Sequence, residues 1–300
     1  MNDTLYSLNG EIVPEERAVI SVTDRGFLYG DGLFETLHAY GRNLFRLEQH
    51  LKRLERGEEV LVFADAPKSS LLARWIQEAV DAADFPEANV RMTVTRGTGP
   101  RGPSLKGKFK PTVVITVTRT DRSAASMIPA GAFAIIATFR RQESAATAML
   151  KTLNYIEQVL ARREADAVNA DEALMLNNAG LLCEGSASNI SLIRGGTLTI
   201  PDPKRVGALP GIAQLTAIEA AENLGIPVVQ TVLSPWDAYQ SDEAFLSGSM
   251  REITPLIRVG EHTVGNGKPG PVTLQLIAEF RRIVERDCKP FKYPAAKQGQ

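Results

Sequence analysis

Cysteine is nearly absent from this chain of 300 residues: Cys183 and Cys288 lie far apart and no CxxC occurs, so neither a disulfide framework nor a zinc site is indicated. Histidine is almost as scarce. His38, His50 and His262 are scattered without ligand spacing, and there is no HExxH, so no metal site is expected. Charge of one sign is not in excess either. A formal net charge of -1 removes the electrostatic case for a nucleic-acid or anionic-membrane partner. No apolar run approaches the ~18 residues that cross a bilayer. The start, Met1-Asn2-Asp3-Thr4, has no basic region followed by an apolar stretch, which leaves the cytoplasm as the expected compartment. Phosphate and nucleophile signatures are missing too: there is no glycine-lysine loop and no GxSxG elbow. The glycines of Arg96-Gly97-Thr98-Gly99 are followed by prolines rather than by a helix, against a dinucleotide site.

What is present is an ordinary globular composition, 44% hydrophobic and 23% charged, in a chain long enough for two domains. Residues 1–118 read as a small N-terminal domain of mixed strands and helices. Leu5 to Leu8 and Glu11 to Val13 form a hairpin about Asn9-Gly10. Leu33 to Tyr40 meets Leu44-Phe45 across Gly41-Arg42-Asn43, with Phe34, Thr36, His38 and Tyr40 on one face. Helical spacing starts at Leu47 and again over Ser69 to Ala83. Strand composition returns at Val90 to Thr95 and Thr112 to Val117. Residues 119–130 are small and polar and read as a linker. Residues 131–288 form a larger C-terminal domain: a strand at Ala132 to Ala137, a helix over Thr152 to Ala165, and turns at Asn178-Ala179-Gly180 and Gly195-Gly196. Further helices run from Pro210-Gly211 to Asn223 and from Pro271 to Arg286. Residues 289–300 read as a poorly ordered tail. Hairpin-linked strands without a regular βαβ rhythm indicate an α+β fold with antiparallel or mixed sheets.

Two peptides carry chemistry. Lys151 lies among Met149, Leu150 and Leu153, where partial desolvation favours a neutral, nucleophilic amine. A lysine of this kind more often snorkels to solvent. About thirty residues on, Glu184 opens Gly185-Ser186-Ala187-Ser188-Asn189, small residues that let a backbone approach a ligand closely. A lysine that forms an imine and a carboxylate that can hold a pyridinium nitrogen together suit pyridoxal 5'-phosphate. Its phosphate would need a cup, and Pro210-Gly211-Ile212-Ala213 offers unpaired amides at a helix start. Ser249 could add a hydroxyl and Arg53 a charged fork.

Six blocks in order extend this: Asp24-Arg25-Gly26-Phe27-Leu28-Tyr29-Gly30-Asp31-Gly32-Leu33-Phe34-Glu35-Thr36, His50-Leu51-Lys52-Arg53-Leu54, Lys151-Thr152-Leu153-Asn154, Glu184-Gly185-Ser186-Ala187-Ser188-Asn189, Leu209-Pro210-Gly211-Ile212 and Glu252-Ile253-Thr254-Pro255. Together they resemble the class IV, fold-type IV, pyridoxal phosphate aminotransferases, the family of branched-chain and D-amino acid aminotransferases and aminodeoxychorismate lyase. The resemblance implies a homodimer of two-domain subunits with the cofactor between the domains. It implies that Lys151 is the imine-forming, catalytic lysine, Glu184 the carboxylate on the pyridine nitrogen and Arg53 the phosphate arginine. It adds Gly211, Ile212, Ala213 and Ser249 around the phosphate, Ser188 and Asn189 in the cofactor loop, and Tyr155 near the cofactor phenolate. Ala213 stands where threonine is common, which removes one hydroxyl. Tyr29, Phe34, Thr36, Arg91, Arg101 and Met250 are the implied substrate contacts.

The implied reaction is transamination between an amino acid and a 2-oxo acid such as 2-oxoglutarate. The substrate signals divide. Arg91 is similar to an arginine of branched-chain enzymes, although Asn89 replaces their usual tyrosine. Arg101 resembles part of the carboxylate loop of D-amino acid enzymes, although Gly102-Pro103 lacks their histidine and Phe34 replaces their tyrosine. A branched-chain L-amino acid is the expected donor, with a D-amino acid second. Asn154-Tyr155-Ile156-Glu157 is similar to aminodeoxychorismate lyases, which keeps that reaction as a rival. A silent ligand-binding homologue is the alternative of another class.

Overall fold

The computed structural model describes residues 3–120 and 130–293. The described chain divides into two compact units. The first comprises the described part of Met1–Asp121 with Leu150–Asn154 and Asp287–Lys292. The second comprises the described parts of Arg122–Met149, Tyr155–Arg286 and Tyr293–Gln300. Most of the expected linker, residues 121–129, lies outside the described residues.

The first unit holds β1 (Thr4–Leu8), β2 (Glu11–Val13), α1 (Arg25–Tyr29), β3 (Gly32–Tyr40), β4 (Asn43–Leu44), α2 (Leu47–Leu61), α3 (Ser69–Ala83), β5 (Glu87–Thr98) and β6 (Lys110–Arg119). Its strands pair antiparallel throughout, in the order β2-β1-β6-β5-β3-β4. Both expected hairpins and both helices are there. Leu51 and Leu54 of α2 and Leu72, Ile76, Ala79 and Val80 of α3 pack on Leu33, Leu37, Val90, Met92, Ile115 and Val117 of the sheet. Each leucine, isoleucine, valine or methionine among them, fully buried, contributes about 1.5–3 kcal/mol. A Cβ at Gly57 would meet Leu33 at 2.8 Å, so the missing side chain lets α2 lie close on β3.

The second unit holds β7 (Ala132–Arg141), α4 (Ile156–Ala167), β8 (Glu172–Asn177), β9 (Leu182–Gly185), β10 (Asn189–Arg194), β11 (Thr197–Pro201), α5 (Pro203–Val206), α6 (Ile212–Asn223), β12 (Val228–Thr231), α7 (Pro235–Tyr239), β13 (Glu243–Gly248), β14 (Glu252–Val259), β15 (His262–Thr263) and α8 (Pro271–Asp287). Its mixed sheet runs β12-β11-β10-β13-β14-β7-β8-β9, with β15 on β14. The pairs β11-β12, β14-β7 and β7-β8 are parallel. Its core gathers Leu174, Leu182, Ile190, Leu192, Leu246 and Leu256.

Two expectations need correction. The helix expected from Thr152 begins at Ile156, because residues 151–153 are drawn into extended pairing with β3. That tertiary pairing overrides local helical spacing. The tail expected from Lys289 is packed as far as Tyr293. The Phe291 ring lies tilted against Tyr40, centroids 5.1 Å apart, in the first unit, and in the second the Tyr293 hydroxyl donates to Glu252 at 2.6 Å. Residues 294–300 lie outside the described residues. Among the described residues no helix is long and apolar enough to cross a membrane.

Candidate active site

In the first unit, Lys151 is fixed through its backbone. The Phe34 N–H donates to the Lys151 carbonyl at 2.9 Å, the Leu153 N–H to the Gly32 carbonyl at 3.0 Å, and Thr152 bridges Leu33. The Lys151 side chain is half-buried, with Nζ 4.5 Å from the centroid of the Phe34 ring. The Arg91 guanidinium lies 3.8 Å from the same centroid, and Thr36 faces Arg91 across the β3-β5 register. The structure therefore brings Lys151, Phe34, Thr36 and Arg91 together. A lysine amine and a guanidinium each set against one aromatic ring gain cation–π attraction when charged.

Behind them, β3 and α2 enclose a buried carboxylate. Glu35 accepts from Arg53 Nε at 2.9 Å and Nη2 at 2.6 Å, and lies 2.6 Å from His50 Nδ1. Burial alone would raise the Glu35 carboxyl, but the charge and hydrogen bonds of Arg53, with the bond from His50, pull it down to about 2. Burial pushes the His50 ring below its usual value and outweighs the opposite pull of Glu35. Arg53 is thus a held guanidinium rather than a solvated one.

Tyr29 ends α1 half-exposed, and its hydroxyl accepts from the Gly102 N–H at 3.1 Å. Arg25 braces the same loop, donating to the Gly102 carbonyl at 2.7 Å and to Asp31 at 2.8 Å, while Arg96 also donates to Asp31 at 2.8 Å. Burial would raise the Asp31 carboxyl, but the two arginines bring it below the ordinary range. A cavity of about 270 Å³ is lined by Arg25, Tyr29, Gly30, Asp31, Leu61, Pro103 and Asn154. Arg101 is exposed on the loop after β5 and does not line that cavity.

In the second unit, Glu184 is buried on β9, opposite Met175 of β8. One carboxylate oxygen accepts from the Leu209 N–H at 2.9 Å, and the other meets Arg141 Nη1 as an ion pair that lacks aligned hydrogen-bond geometry. Burial pulls the Arg141 guanidinium below its ordinary value. The Ser188 hydroxyl donates to Glu172 at 2.7 Å, and Asn189 Nδ2 donates to the Leu209 carbonyl at 2.9 Å. Tyr155 reaches the Ser186 carbonyl with its hydroxyl at 3.3 Å. Asn189 opposes Ser247 in the β10-β13 register, so the turn carrying Ser249 and Met250 stands at the end of the sheet where β10 begins.

Gly211 is the N-cap of α6, and no side chain caps this helix. Ile212 and Ala213, in its first turn, are buried. A Cβ at Gly211 would fall 1.8 Å from Asn189 Oδ1, so glycine leaves the amides open. Buried, uncapped amides at the positive end of a helix dipole suit a phosphate. Taken unit by unit, the backbone-fixed amine of Lys151 in the first and the buried carboxylate and uncapped helix amides of the second are groups of the kinds that pyridoxal phosphate requires. The second unit brings Glu184, Ser188, Asn189, Gly211, Ile212 and Ala213 together through Leu209 and Asn189.

Sequence reasoning did not single out Glu35, His50, Glu172 or Arg141. His50 and Arg53 are spaced i, i+3 on α2, a visible signal that they share a face. Glu172 and Arg141 carried no local signal, because they meet the Glu184 peptide only once β7, β8 and β9 pair. Among the described residues no group of three metal-ligating side chains occurs.

Comparison with known proteins follows the same lines. Residues 32–259 match the family described as amino-transferase class IV. The chain is 32% identical over 281 residues to a putative branched-chain-amino-acid aminotransferase of Methanocaldococcus jannaschii, covering 92% of this chain and 95% of that protein. It is 30% identical over 297 residues to the D-alanine aminotransferase of Listeria innocua, covering 95% and 98%. Among solved structures, the 4-amino-4-deoxychorismate lyase of Pseudomonas aeruginosa is similar with a TM-score of 0.82 at 31% identity, covering 93% of this chain and 98% of that one.

Proposed function

Because the chain belongs to the class IV aminotransferases, α+β proteins of fold-type IV that use pyridoxal phosphate, we propose that it moves the amino group of a branched-chain L-amino acid to a 2-oxo acid such as 2-oxoglutarate. The observation that carries the site assignment is Lys151, an amine tied by its own backbone to a buried strand and set against Phe34. When bound, the cofactor supplies a carbonyl that captures the amino group and a ring that accepts electrons.

The protein's part is binding, orientation and proton movement. With the cofactor held, Lys151 Nζ would be the amine that anchors it and the group that moves the substrate α-proton, as base and then acid. Glu184, its direction set by the Leu209 amide and Arg141, would hold the cofactor's ring nitrogen protonated. Arg53, the amides of Ile212 and Ala213, and the Ser249 hydroxyl are the groups that would hold the phosphate. Ser188 and Asn189 shape the loop behind the ring, and Tyr155 serves the phenolate oxygen. Phe34 and Met250 would offer apolar contact to an aliphatic side chain, while Thr36, Arg91, Tyr29 and Arg101 are the proposed polar contacts to the substrate. Two half-reactions sharing one site give ping-pong kinetics.

The Methanocaldococcus jannaschii relative supports the branched-chain donor. The Listeria innocua relative supports a D-amino acid as the second donor class. The likeness to the lyase of Pseudomonas aeruginosa favours, as a second reading, cleavage of aminodeoxychorismate to 4-aminobenzoate and pyruvate. Assays of purified protein with leucine, D-alanine and aminodeoxychorismate separate the three. Exchange of leucine with 2-oxoglutarate is the expected result, and pyruvate release from aminodeoxychorismate without amino exchange overturns it. We read the enzyme as a cytoplasmic homodimer. Its buried free thiols suit a reducing compartment, and exposed Val19, Val22 and Phe27 suit a partner surface.

A further inference from the structure

The buried carboxylate of Glu35 takes no part in the reaction described above, yet it is among the most committed polar groups of the first unit. It is 1% exposed, spans the Nε and Nη2 edge of Arg53 and lies 2.6 Å from His50 Nδ1. Both partners sit on α2, three residues apart, while Glu35 sits on β3 between Phe34 and Thr36. One side chain therefore locks the helix that carries Arg53 to the strand against which Lys151 is paired.

We propose that Glu35 is a positioning residue for the cofactor: it fixes the plane of the Arg53 guanidinium toward phosphate and holds His50 as the neutral Nδ1–H tautomer. The inference rests on the reading of Arg53 as the phosphate arginine. A bidentate fork restrains the side-chain torsions that would turn the planar guanidinium, so the orientation of Arg53 is set before any phosphate arrives. The tautomer follows from the acceptor. A carboxyl held at about 2 is ionised at neutral pH and can only accept, so Nδ1 must carry the proton. Burial, with the charges of Arg53 and Lys151 nearby, disfavours a second proton on the ring. The fork then balances one cation with one anion instead of adding an imidazolium.

A role through charge alone predicts the opposite consequence. Removing a carboxylate beside a phosphate-binding arginine should tighten anion binding by Coulomb attraction, whereas removing a positioning group should loosen it. Equilibrium titration of the cofactor-free wild type, Glu35→Gln and Arg53→Ala with pyridoxal phosphate, followed by cofactor absorbance, separates these. Weakening by roughly tenfold or more in both variants is expected. If Arg53→Ala binds as the wild type does, the phosphate reading of Arg53 fails and the inference falls with it. If Arg53→Ala weakens binding and Glu35→Gln binds equally or more tightly, the reading stands and only the inference is overturned. Should Glu35→Gln not fold, ¹⁵N NMR of the wild-type holoenzyme still decides. A neutral ring protonated at Nδ1 of His50 supports the proposal, and an Nε2–H or doubly protonated ring overturns it.

Discussion

Lys151 and Phe34 are joined twice, by a hydrogen bond of 2.9 Å between the Phe34 amide and the Lys151 carbonyl and by the approach of Nζ to 4.5 Å from the Phe34 ring. The backbone bond fixes where the lysine starts, and the ring limits where its amine can go. Phe34→Leu keeps the first constraint and removes the second. Steady-state assays should show kcat reduced several-fold with the fold intact by circular dichroism. Phe34→Ala should in addition cost about 3–5 kcal/mol of stability by leaving a cavity.

Replacing Lys151 itself tests the chemistry directly. Lys151→Ala removes the only group assigned to move the α-proton, so turnover should fall to background, while the fold survives because the Phe34 and Leu153 bonds use backbone atoms. Lys151→Arg should also be inactive, since a guanidinium stays protonated and cannot act as base. Amino-exchange assays beside thermal melts make the check. Turnover by either variant at wild-type rates would remove Lys151 from the site.

Much of this arrangement is legible in the sequence where chemistry is local. Lys151, Glu184 and the Pro210-Gly211 helix start show themselves through their neighbours, and the hairpins and helices of the first unit follow from periodicity and turn residues. What stays hidden is pairing at a distance. The apolar run after Lys151 has helical spacing, yet residues 151–153 are taken up by β3, a contact that bridges more than a hundred residues of chain. Glu35 shows no partner in the sequence, because His50 and Arg53 reach it only when α2 packs on β3. Arg141 and Glu172 lie far from Glu184 in sequence and reach its peptide only through the order of the second sheet.

Acid should destabilise the protein through Glu35 and His50 with the same sign. The folded Glu35 carboxyl is held at about 2, below its ordinary 4.5, so its contribution is present above that ordinary value and is lost as pH falls toward 2. His50 is also depressed, so its share begins to fall once pH drops below 6.5, where the unfolded ring takes up a proton first. Urea melts between pH 3 and pH 7 should show wild type losing stability on acidification. The gap to Glu35→Gln should close by about 2 kcal/mol at most across that interval. A constant gap would show that the Glu35 charge is not what the fold depends on.

Glu58 should act in the opposite direction. Burial, with Glu55 nearby, raises its carboxyl from 4.5 to about 7, so the neutral acid is the form the fold favours. A raised carboxyl contributes stability that is complete below 4.5 and is lost as pH rises through about 7. Glu58→Gln keeps the shape and removes the charge, so its melting temperature should exceed that of wild type at pH 8 and match it at pH 5. Glu58 is only partly buried, and solvent screening holds the gain to about 1 kcal/mol or less.

Gly211 offers the sharpest test of the phosphate cup. Its missing side chain leaves room beside Asn189, whose Nδ2 is already committed to the Leu209 carbonyl, so a methyl group cannot be absorbed by simple rotation of the amide. Gly211→Ala should push Asn189 and the first turn of α6 apart and displace the amides of Ile212 and Ala213. The φ of Gly211 is -74°, which alanine adopts without strain, so the substitution tests space and not backbone conformation. Pyridoxal phosphate titrations should show weaker binding in Gly211→Ala than in wild type, but little further weakening when Gly211→Ala is added to Asn189→Ala, where the opposing side chain is gone. Equal weakening by Gly211→Ala in the two backgrounds would mean that crowding against Asn189 is not what moves the amides.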